Sequence, residues 1–346
     1  MTAVSVLLPV HNGARYLERA ARSILAQTHR DLELIVLDDG STDGSGQIAE
    51  SLGDPRIRLI RSDRNRGLAA SLNCGLEAAR AAIVARQDAD DVSHPRRLEA
   101  QLTFLDANPD VALVGTQAWL IDESGRCRGS LEHARDHQCL LWELTFDNAF
   151  VHTSVAFRRD VVVRAGGYDG AWAYNQDYDL WLRLSRTTRL ANLPERLVAS
   201  RFHDCSMTRR MQDEAAAANR ILLARGLALV FGELSPETID LVARAREGMD
   251  LDELREFVPI LSEWTRAYRA RIEARSQQDF RATLARQHLA LAFTRRRRTM
   301  RRVLFALWAG RTEGRALATA LLDRLLEQCR LKLGYDPLAS FDVASR

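Results

Sequence analysis

Lysine is almost missing from this chain of 346 residues: Lys332 is the single one among 49 basic residues. Schiff-base chemistry and the phosphate-loop lysine are thereby excluded from nearly the whole sequence. Cysteine is sparse as well. Its five positions, Cys74, Cys127, Cys139, Cys205 and Cys329, are scattered, odd in number and free of any CxxC pair, which argues against a disulfide framework and a zinc site. That usage fits a reducing cytoplasm. No basic segment followed by an apolar core opens the sequence, and no apolar run approaches the ~20 residues of a spanning helix. Neither secretion nor a membrane anchor is expected.

What is present has a globular composition, 46% hydrophobic and 27% charged, in a length suited to about two domains. The net charge of +3 conceals an asymmetry, with 24 basic against 28 acidic residues up to Asp204 and 25 against 18 beyond it. Up to about residue 120, short β-branched runs alternate with amphipathic stretches, as in an α/β protein whose parallel sheet is covered by helices. Strands are expected at Val4–Val10, Leu32–Leu37, Ile57–Ile60, Ala82–Ala85 and Val111–Gly115. Helices are expected from Tyr16 to Leu25, from Leu68 to Arg80, and from Pro95, which would take the favoured first position. Val151–Phe157 then reads as a strand, Asp177–Leu184 as a helix and Leu190–Phe202 as extended. Beyond lie helical patterns at Ala215–Leu223, Leu251–Leu261, Trp264–Arg275, Asp279–Phe293 and Leu317–Leu333. A boundary near residues 204–212 divides the chain into 1–204 and 205–346.

Two segments carry the chemistry. LIVLDDGSTDGSG, Leu34 to Gly46, is a buried strand ending in two carboxylates and a glycine-rich turn. Gly40, Gly44 and Gly46 do not have the GxGxxG spacing, and Asp38 and Asp39 would face a pyrophosphate with like charge, so a dinucleotide site is disfavoured. Carboxylates only accept hydrogen bonds when ionised, which suits ribose hydroxyls and base N–H groups. Asp43 reads equally well as a helix cap. In AIVARQDADDVSHP, Ala82 to Pro95, a second strand runs into acid. On an extended chain Asp88 and Asp90 would share a face and could approach one hard cation; the alternative is a solvated acidic turn.

SVLLPVHNG (Ser5 to Gly13), LELIVLDDGSTDGS (Leu32 to Ser45), NRGLAASLNCGL (Asn65 to Leu76) and DADD (Asp88 to Asp91) together resemble the inverting, family 2 glycosyltransferases with the GT-A fold, a Rossmann-like, mostly parallel mixed sheet flanked by helices. The resemblance covers roughly residues 3 to 204, leaving an α-helical C-terminal region. It implies a nucleotide-sugar donor, a UDP-sugar, held at the carboxyl ends of the first strands. Pro9 and Asp39 would lie near the base, Asp88 near the ribose, and Asp90 on a Mg²⁺ or Mn²⁺ bridging the diphosphate. Arg66 and Asn73 would lie beside the donor, although Arg66 also reads as an exposed loop arginine.

The resemblance continues in GGYDGAWAYNQDYDLWLRL, Gly166 to Leu184. With Leu180, Trp181 and Leu184 at i+3, i+4 and i+7, Asp177 falls on the apolar stripe, whereas Asp179 turns away toward Arg183 as a surface ion pair. Asp177 is therefore the expected base, a helix N-cap being its plainer reading. The family pattern has Glu-Asp here, and this chain has Gln176 before Asp177, on the acceptor side. His203 in SRFHDCS resembles the family's Arg-x-His and stands between a metal ligand and a structural hydrogen bond. His152 matches a segment lining the acceptor side.

TRRRRTMRR, Thr294 to Arg302, holds six arginines in nine residues and precedes the apolar VLFALWAG. Such a segment could bind an anionic membrane surface beside a lipid-linked or glycan acceptor, or form a solvated or paired helical face. Nucleic acid is disfavoured, because no aromatics interleave the arginines. The resemblance implies inverting transfer in bacterial cell-surface polysaccharide or lipopolysaccharide synthesis by a cytoplasmic enzyme. The rival reading is a non-catalytic scaffold on the same fold, supported only by Gln176.

Overall fold

The computed structural model describes residues 3–202, 214–247, 251–292 and 341. His203, the boundary segment, the arginine run Thr294–Arg302 with the apolar stretch behind it, and the helix expected at Leu317–Leu333 lie outside the described residues. The chain divides into two compact units, one of residues 1–133, 149–218 and 335–346, the other of residues 134–148 and 219–334.

The first unit begins with β1 (Val4–Val10), α1 (Ala14–Leu25), β2 (Leu32–Asp39), α2 (Ser45–Ser51), β3 (Ile57–Ser62), α3 (Leu68–Ala78) and β4 (Ile83–Arg86). It continues with β5 (Val92–Ser93), α4 (Arg97–Ala107), β6 (Val111–Ile121) and β7 (Cys127–Leu131). α5 (His137–Phe146) lies in the second unit, after which β8 (Ala156–Arg158), α6 (Arg159–Arg164), α7 (Gln176–Leu184) and β9 (Arg189–Arg201) return to the first. The nine strands form one mixed sheet in the order β3-β2-β1-β4-β8-β6-β9-β5, with β7 beside β6. β3, β2, β1 and β4 run parallel, and β8 joins β4 antiparallel.

All residues of β1 and β2 are buried, as their continuous apolar runs require when helices cover both sheet faces. β2 extends two residues past the expected Leu37, carrying Asp38 and Asp39 into the sheet edge. Pro95 does not start a helix. Its carbonyl accepts the Thr28 N–H at 2.8 Å, and α4 begins at Arg97. Val151–Phe157 is not one strand either, because a 3₁₀ turn at His152–Ser154 precedes β8.

In the second unit α5 is followed by α8 (Glu214–Phe231), which enters this unit at Asn219, then α9 (Pro236–Glu247), α10 (Leu251–Arg269) and α11 (Gln277–Ala292). Trp142 is fully buried there, with the rings of Phe146, Phe231, Tyr268 and Phe280 around it. α10 runs through Pro259 without a break, joining what the sequence pattern separates at Leu261, and α9 has no counterpart in that pattern.

α3 packs on the sheet through Gly75, where a Cβ would lie 2.8 Å from Leu37 and 2.9 Å from Leu7. Gly75→Ala is expected to destabilise the fold by about 1–3 kcal/mol through overpacking, read as a lower midpoint in urea unfolding; an unchanged midpoint would contradict this packing.

Candidate active site

β1 lies between β2 and β4, parallel to both. The carboxyl ends of the three strands therefore share one edge, and the chain order reverses between β1 and β4, where open α/β sheets leave a ligand crevice. Leu7 of β1 accepts the Gln87 N–H at 2.9 Å. Main-chain groups two residues apart point the same way, so Pro9 faces the space beyond the last residue of β4, Arg86. Pro9 itself is buried.

At the end of β2 both carboxylates are nearly covered. Asp39 Oδ1 accepts the Arg66 N–H at 2.8 Å and Oδ2 the Gly67 N–H at 2.9 Å. Asp39 thus ties the turn before α3 to the sheet edge, leaving the Arg66 side chain exposed. Asp38 closes its own turn by accepting the Ser41 N–H at 3.0 Å. Asp43 accepts the Ser45 N–H at 3.0 Å and the Ala14 N–H at 2.8 Å, so one carboxylate serves the N-termini of α2 and α1.

The acidic segment after β4 is a turn, not an extended strand end: the Asp91 N–H donates to the Asp88 carbonyl at 3.3 Å. Its three acids consequently part company. Asp91, 3% exposed, accepts the Arg201 N–H at 2.6 Å. Burial first, then the charges of Asp90 and Asp88, push its carboxyl well above the usual carboxylate range, against the bonds from Arg201 and Thr153. Asp88 and Asp90 remain half-buried. Beneath the turn, the buried Gln87 donates from Nε2 to the Asp88 and Asp91 carbonyls, both at 3.0 Å. Arg201 Nε donates to the Asp90 carbonyl at 2.9 Å, and the Asp88 N–H donates to Thr153 Oγ1 at 2.9 Å. Arg86 Nη2 reaches Asp88 Oδ1 at 2.6 Å.

The expected base lies on the same neighbourhood. In α7 every residue except Asp177 and Arg183 is buried. The assignment of Asp179 to the surface is therefore wrong. It is 1% exposed and accepts Arg183 Nε at 2.8 Å, while Arg183 Nη2 donates to the Gly167 carbonyl at 2.8 Å. A simple stripe fails because this short helix is packed almost all round, and Asp177 sits at its opening instead of on its apolar face. The N-cap is Asn175, in the left-handed region at φ 61° and with no side-chain cap bond, so Asp177 does not cap the helix. Gln176 is buried in the first helical position.

His152 is half-buried, with Nε2 3.2 Å from the Tyr168 hydroxyl. Burial first and then the Arg86 charge lower its pKa from the ordinary 6.5, while Asp177 and Asp88 pull the other way. Burial likewise pushes the Tyr168 phenol up, with Arg86, Asp177 and Asp88 acting on it. Asp88 is thus bonded to Arg86 and His152 to Tyr168, and the charges of Arg86, Asp88 and Asp177 act on both His152 and Tyr168. Asn73 holds the loop that carries Tyr168: its amide donates to the Tyr168 carbonyl at 2.7 Å and accepts the Tyr168 N–H at 2.9 Å. A Cβ on Gly167, at φ +65°, would lie 2.6 Å from Asn73 Oδ1, so only glycine fits that approach.

Arg86, Gln87, Thr153, Tyr168 and Arg201 escape a reading of motifs. A signal for Arg86 existed: an arginine inside an otherwise apolar strand is buried at a cost unless something pairs with it. Among the described residues, the one group of three metal-ligating side chains within 4.8 Å of one another is Asp136, Cys139 and Asp279, in the second unit. Asp136 caps α5 by accepting the Gln138 and Cys139 N–H groups, and Asp279 braces the chain before that helix by accepting those of Arg135 and Asp136.

The folded His152 binds its proton less readily than the unfolded one, so it subtracts stability as pH falls below 6.5 and is neutral in its effect above. An NMR titration of its ring is expected to give a midpoint under 6.5, lower still in Asp177→Asn; a midpoint at or above that value would contradict the geometry.

Residues 5–166 match Glycosyl transferase family 2. Over 211 residues the chain is 35% identical to the O-antigen biosynthesis glycosyltransferase WbnJ of Escherichia coli, a match covering 59% of this chain and 81% of that protein. It is 33% identical over 211 residues to the amylovoran biosynthesis glycosyltransferase AmsE of Erwinia amylovora, covering 57% and 75%. In structure it resembles S. aureus TarS residues 1–349, solved in complex with UDP-GlcNAc, with a TM-score of 0.56 at 15% identity over 84% of this chain and 81% of that one. With its mixed sheet and flanking helices in agreement, the chain belongs to the family 2 glycosyltransferases and carries their GT-A fold.

Proposed function

We propose that this glycosyltransferase moves a sugar, with inversion, from a UDP-sugar to an acceptor hydroxyl, in the assembly of bacterial cell-surface polysaccharide or lipopolysaccharide. The observation that carries this reading is that Arg86 is bonded to Asp88 beside the carboxyl edge of β1 and β4, while the charges of Arg86, Asp88 and Asp177 all act on the bonded pair His152 and Tyr168. The names of the O-antigen and amylovoran relatives support the setting. Complexes of TarS with UDP-GlcNAc and with UDP support the donor class. We assign the catalytic machinery to residues 1–204 and read 205–346 as a helical, arginine-rich domain.

Asp177, at the opening of α7, removes the acceptor proton as the hydroxyl oxygen attacks the anomeric carbon and the bond to the diphosphate breaks. A single displacement of this kind needs one base and no protein acid, because the leaving diphosphate departs without protonation. His152, neutral at pH 7 and bonded to Tyr168, lines the acceptor side with Gln176. On the donor side Asp88 accepts from ribose hydroxyls, Pro9 and Asp39 border the base, and Asn73 and Asp39 hold the surrounding turns, with Arg66 beside the phosphates. The donor set at Asp90 is oxygen, half-buried beside Asp88, and both charges act on the buried Asp91. That fits a hard divalent cation. Asp90, with His203, would hold Mg²⁺ or Mn²⁺, which when bound supplies Lewis-acid stabilisation of the departing diphosphate.

Asp177→Asn is expected to lower transfer by about 10²–10⁴-fold while UDP binding, followed by calorimetry, stays as in the parent; unchanged turnover would refute the base assignment. Asp90→Ala is expected to abolish the gain in UDP affinity that Mn²⁺ brings, and equal affinity with and without EDTA in the parent would remove the metal from the scheme. No described helix is long and apolar enough to cross a membrane. Thr294–Arg302 is assigned to peripheral contact with anionic lipid at the cytoplasmic face, each arginine adding about 1 kcal/mol near the surface. Sedimentation with phosphatidylserine vesicles at low salt tests it, and a chain left wholly in the supernatant would refute it.

A further inference from the structure

We propose that Arg86 is a positioning residue for the donor: its buried guanidinium fixes one oxygen of Asp88 and thereby presents the other to the ribose. This rests on the donor role proposed for Asp88. Arg86 is 1% exposed, at the last position of β4. Its own backbone is fastened on both sides, the N–H donating to the Val155 carbonyl at 2.9 Å and the carbonyl accepting Arg97 Nη2 at 2.9 Å. The guanidinium donates from Nη1 to the Gln87 carbonyl and from Nη2 to Asp88 Oδ1 at 2.6 Å. Asp88 Oδ2 accepts no hydrogen bond among the described residues, and the Asp88 side chain is 34% exposed.

That grip is not what stabilisation alone would build. A buried arginine paired for structure takes a carboxylate with both arms of its fork and satisfies its remaining N–H groups. Here the pairing engages a single carboxylate oxygen, and Arg86 Nε is buried with no partner among the described residues. The strand around it is apolar, Val84 and Ala85 being fully buried, and a methionine-sized apolar side chain would fill the same place without the desolvation of a charge. What the arginine adds is direction. It holds Asp88 at one end and leaves the outward oxygen, a pure acceptor, for a hydroxyl pair of the kind a ribose offers. The same charge acts on His152 and Tyr168, so one buried group orders the donor carboxylate while bordering the acceptor side.

The test is calorimetric binding of UDP, GDP and dTDP with Mn²⁺ to the full chain and to Arg86→Met, Arg86→Lys, Asp88→Asn and the Arg86→Met/Asp88→Asn double variant. Arg86→Met is expected to weaken the preferred nucleotide about tenfold, equivalent to 1.4 kcal/mol, and Arg86→Lys, which keeps the charge without the fork, to recover part of it. In the Asp88→Asn background Arg86→Met should add nothing further, because Arg86 then has no carboxylate to aim. Nucleotide affinity unchanged in Arg86→Met, or an equal loss in both backgrounds, would overturn the assignment. Should Arg86→Met fail to fold, Arg86→Lys decides: weaker binding at an unchanged thermal midpoint supports the role, and parental affinity overturns it. A parent chain that binds none of the three nucleotides overturns the donor reading itself, and the Arg86 role with it.

Discussion

Two guanidinium groups buried under an acidic turn are the constraint on which this site depends. Arg86 and Arg97 are each almost wholly excluded from solvent, and above them the turn from Asp88 to Asp91 carries three carboxylates. Burial and the neighbouring Arg86 lower the Arg97 pKa to about 9 against the pull of Asp91. Positive charge so placed is costly by itself, and so is a cluster of acids; each makes the other tolerable. Arg97 completes the balance with bonds to the Thr153 carbonyl at 2.8 Å and to Gln87 Oε1 at 3.2 Å. The turn is consequently held from beneath by side chains that belong to three separate parts of the chain.

Sheet topology explains why the turn sits where a ligand can reach it. β4 stops at Arg86 while β1 runs on to Val10, and the strand beyond β4 in the sheet, β8, is antiparallel. The parallel half of the sheet therefore ends in loops on one edge, and Asp39, Pro9 and Asp88 all stand on it. β9 returns from the far half to close the arrangement, its pairing with β5 placing Arg201 against Asp90 and Asp91. A chain that swapped Arg201 for a shorter residue would still form the sheet and keep the main-chain bond to Asp91, but lose the Nε bond to the Asp90 carbonyl.

How much of this was legible in the sequence follows from which interactions are local. Continuous apolar runs identify β1 and β2 because a strand buried on both faces has no other way to be written, and the acids at their ends read as an edge. The separation of Asp88 and Asp90 from Asp91 was not legible. It depends on Gln87 folding the segment into a turn through two carbonyls, and on Arg201, 110 residues away in sequence from Asp91. Asp179 was misread for a related reason. Its i+4 arginine looks like a surface pair, yet Arg183 is drawn inward by the Gly167 carbonyl, a partner that periodicity cannot see. Pro259 inside α10 shows the converse, a local breaker overruled by the packing of a long helix.

The start of α7, with Asp177, is tied to α3 and to the loop before it through main-chain groups. Asn73, on α3, brackets both main-chain groups of Tyr168, and Arg183 holds the Ala165 and Gly167 carbonyls from within α7. Between these two anchors lies the loop of residues 169–175, with Trp172, Tyr174 and Asn175 half-buried and the rest exposed. Its last residue, Asn175, is the N-cap of α7, and its carbonyl accepts the Asp179 N–H at 3.0 Å. The bonds of Asn73 and Arg183 thus fix the course of the chain into this loop from the side of α3 and from the side of α7. A change at Asn73 would release both main-chain groups of Tyr168 and loosen the approach to α7, on which Asp177 stands.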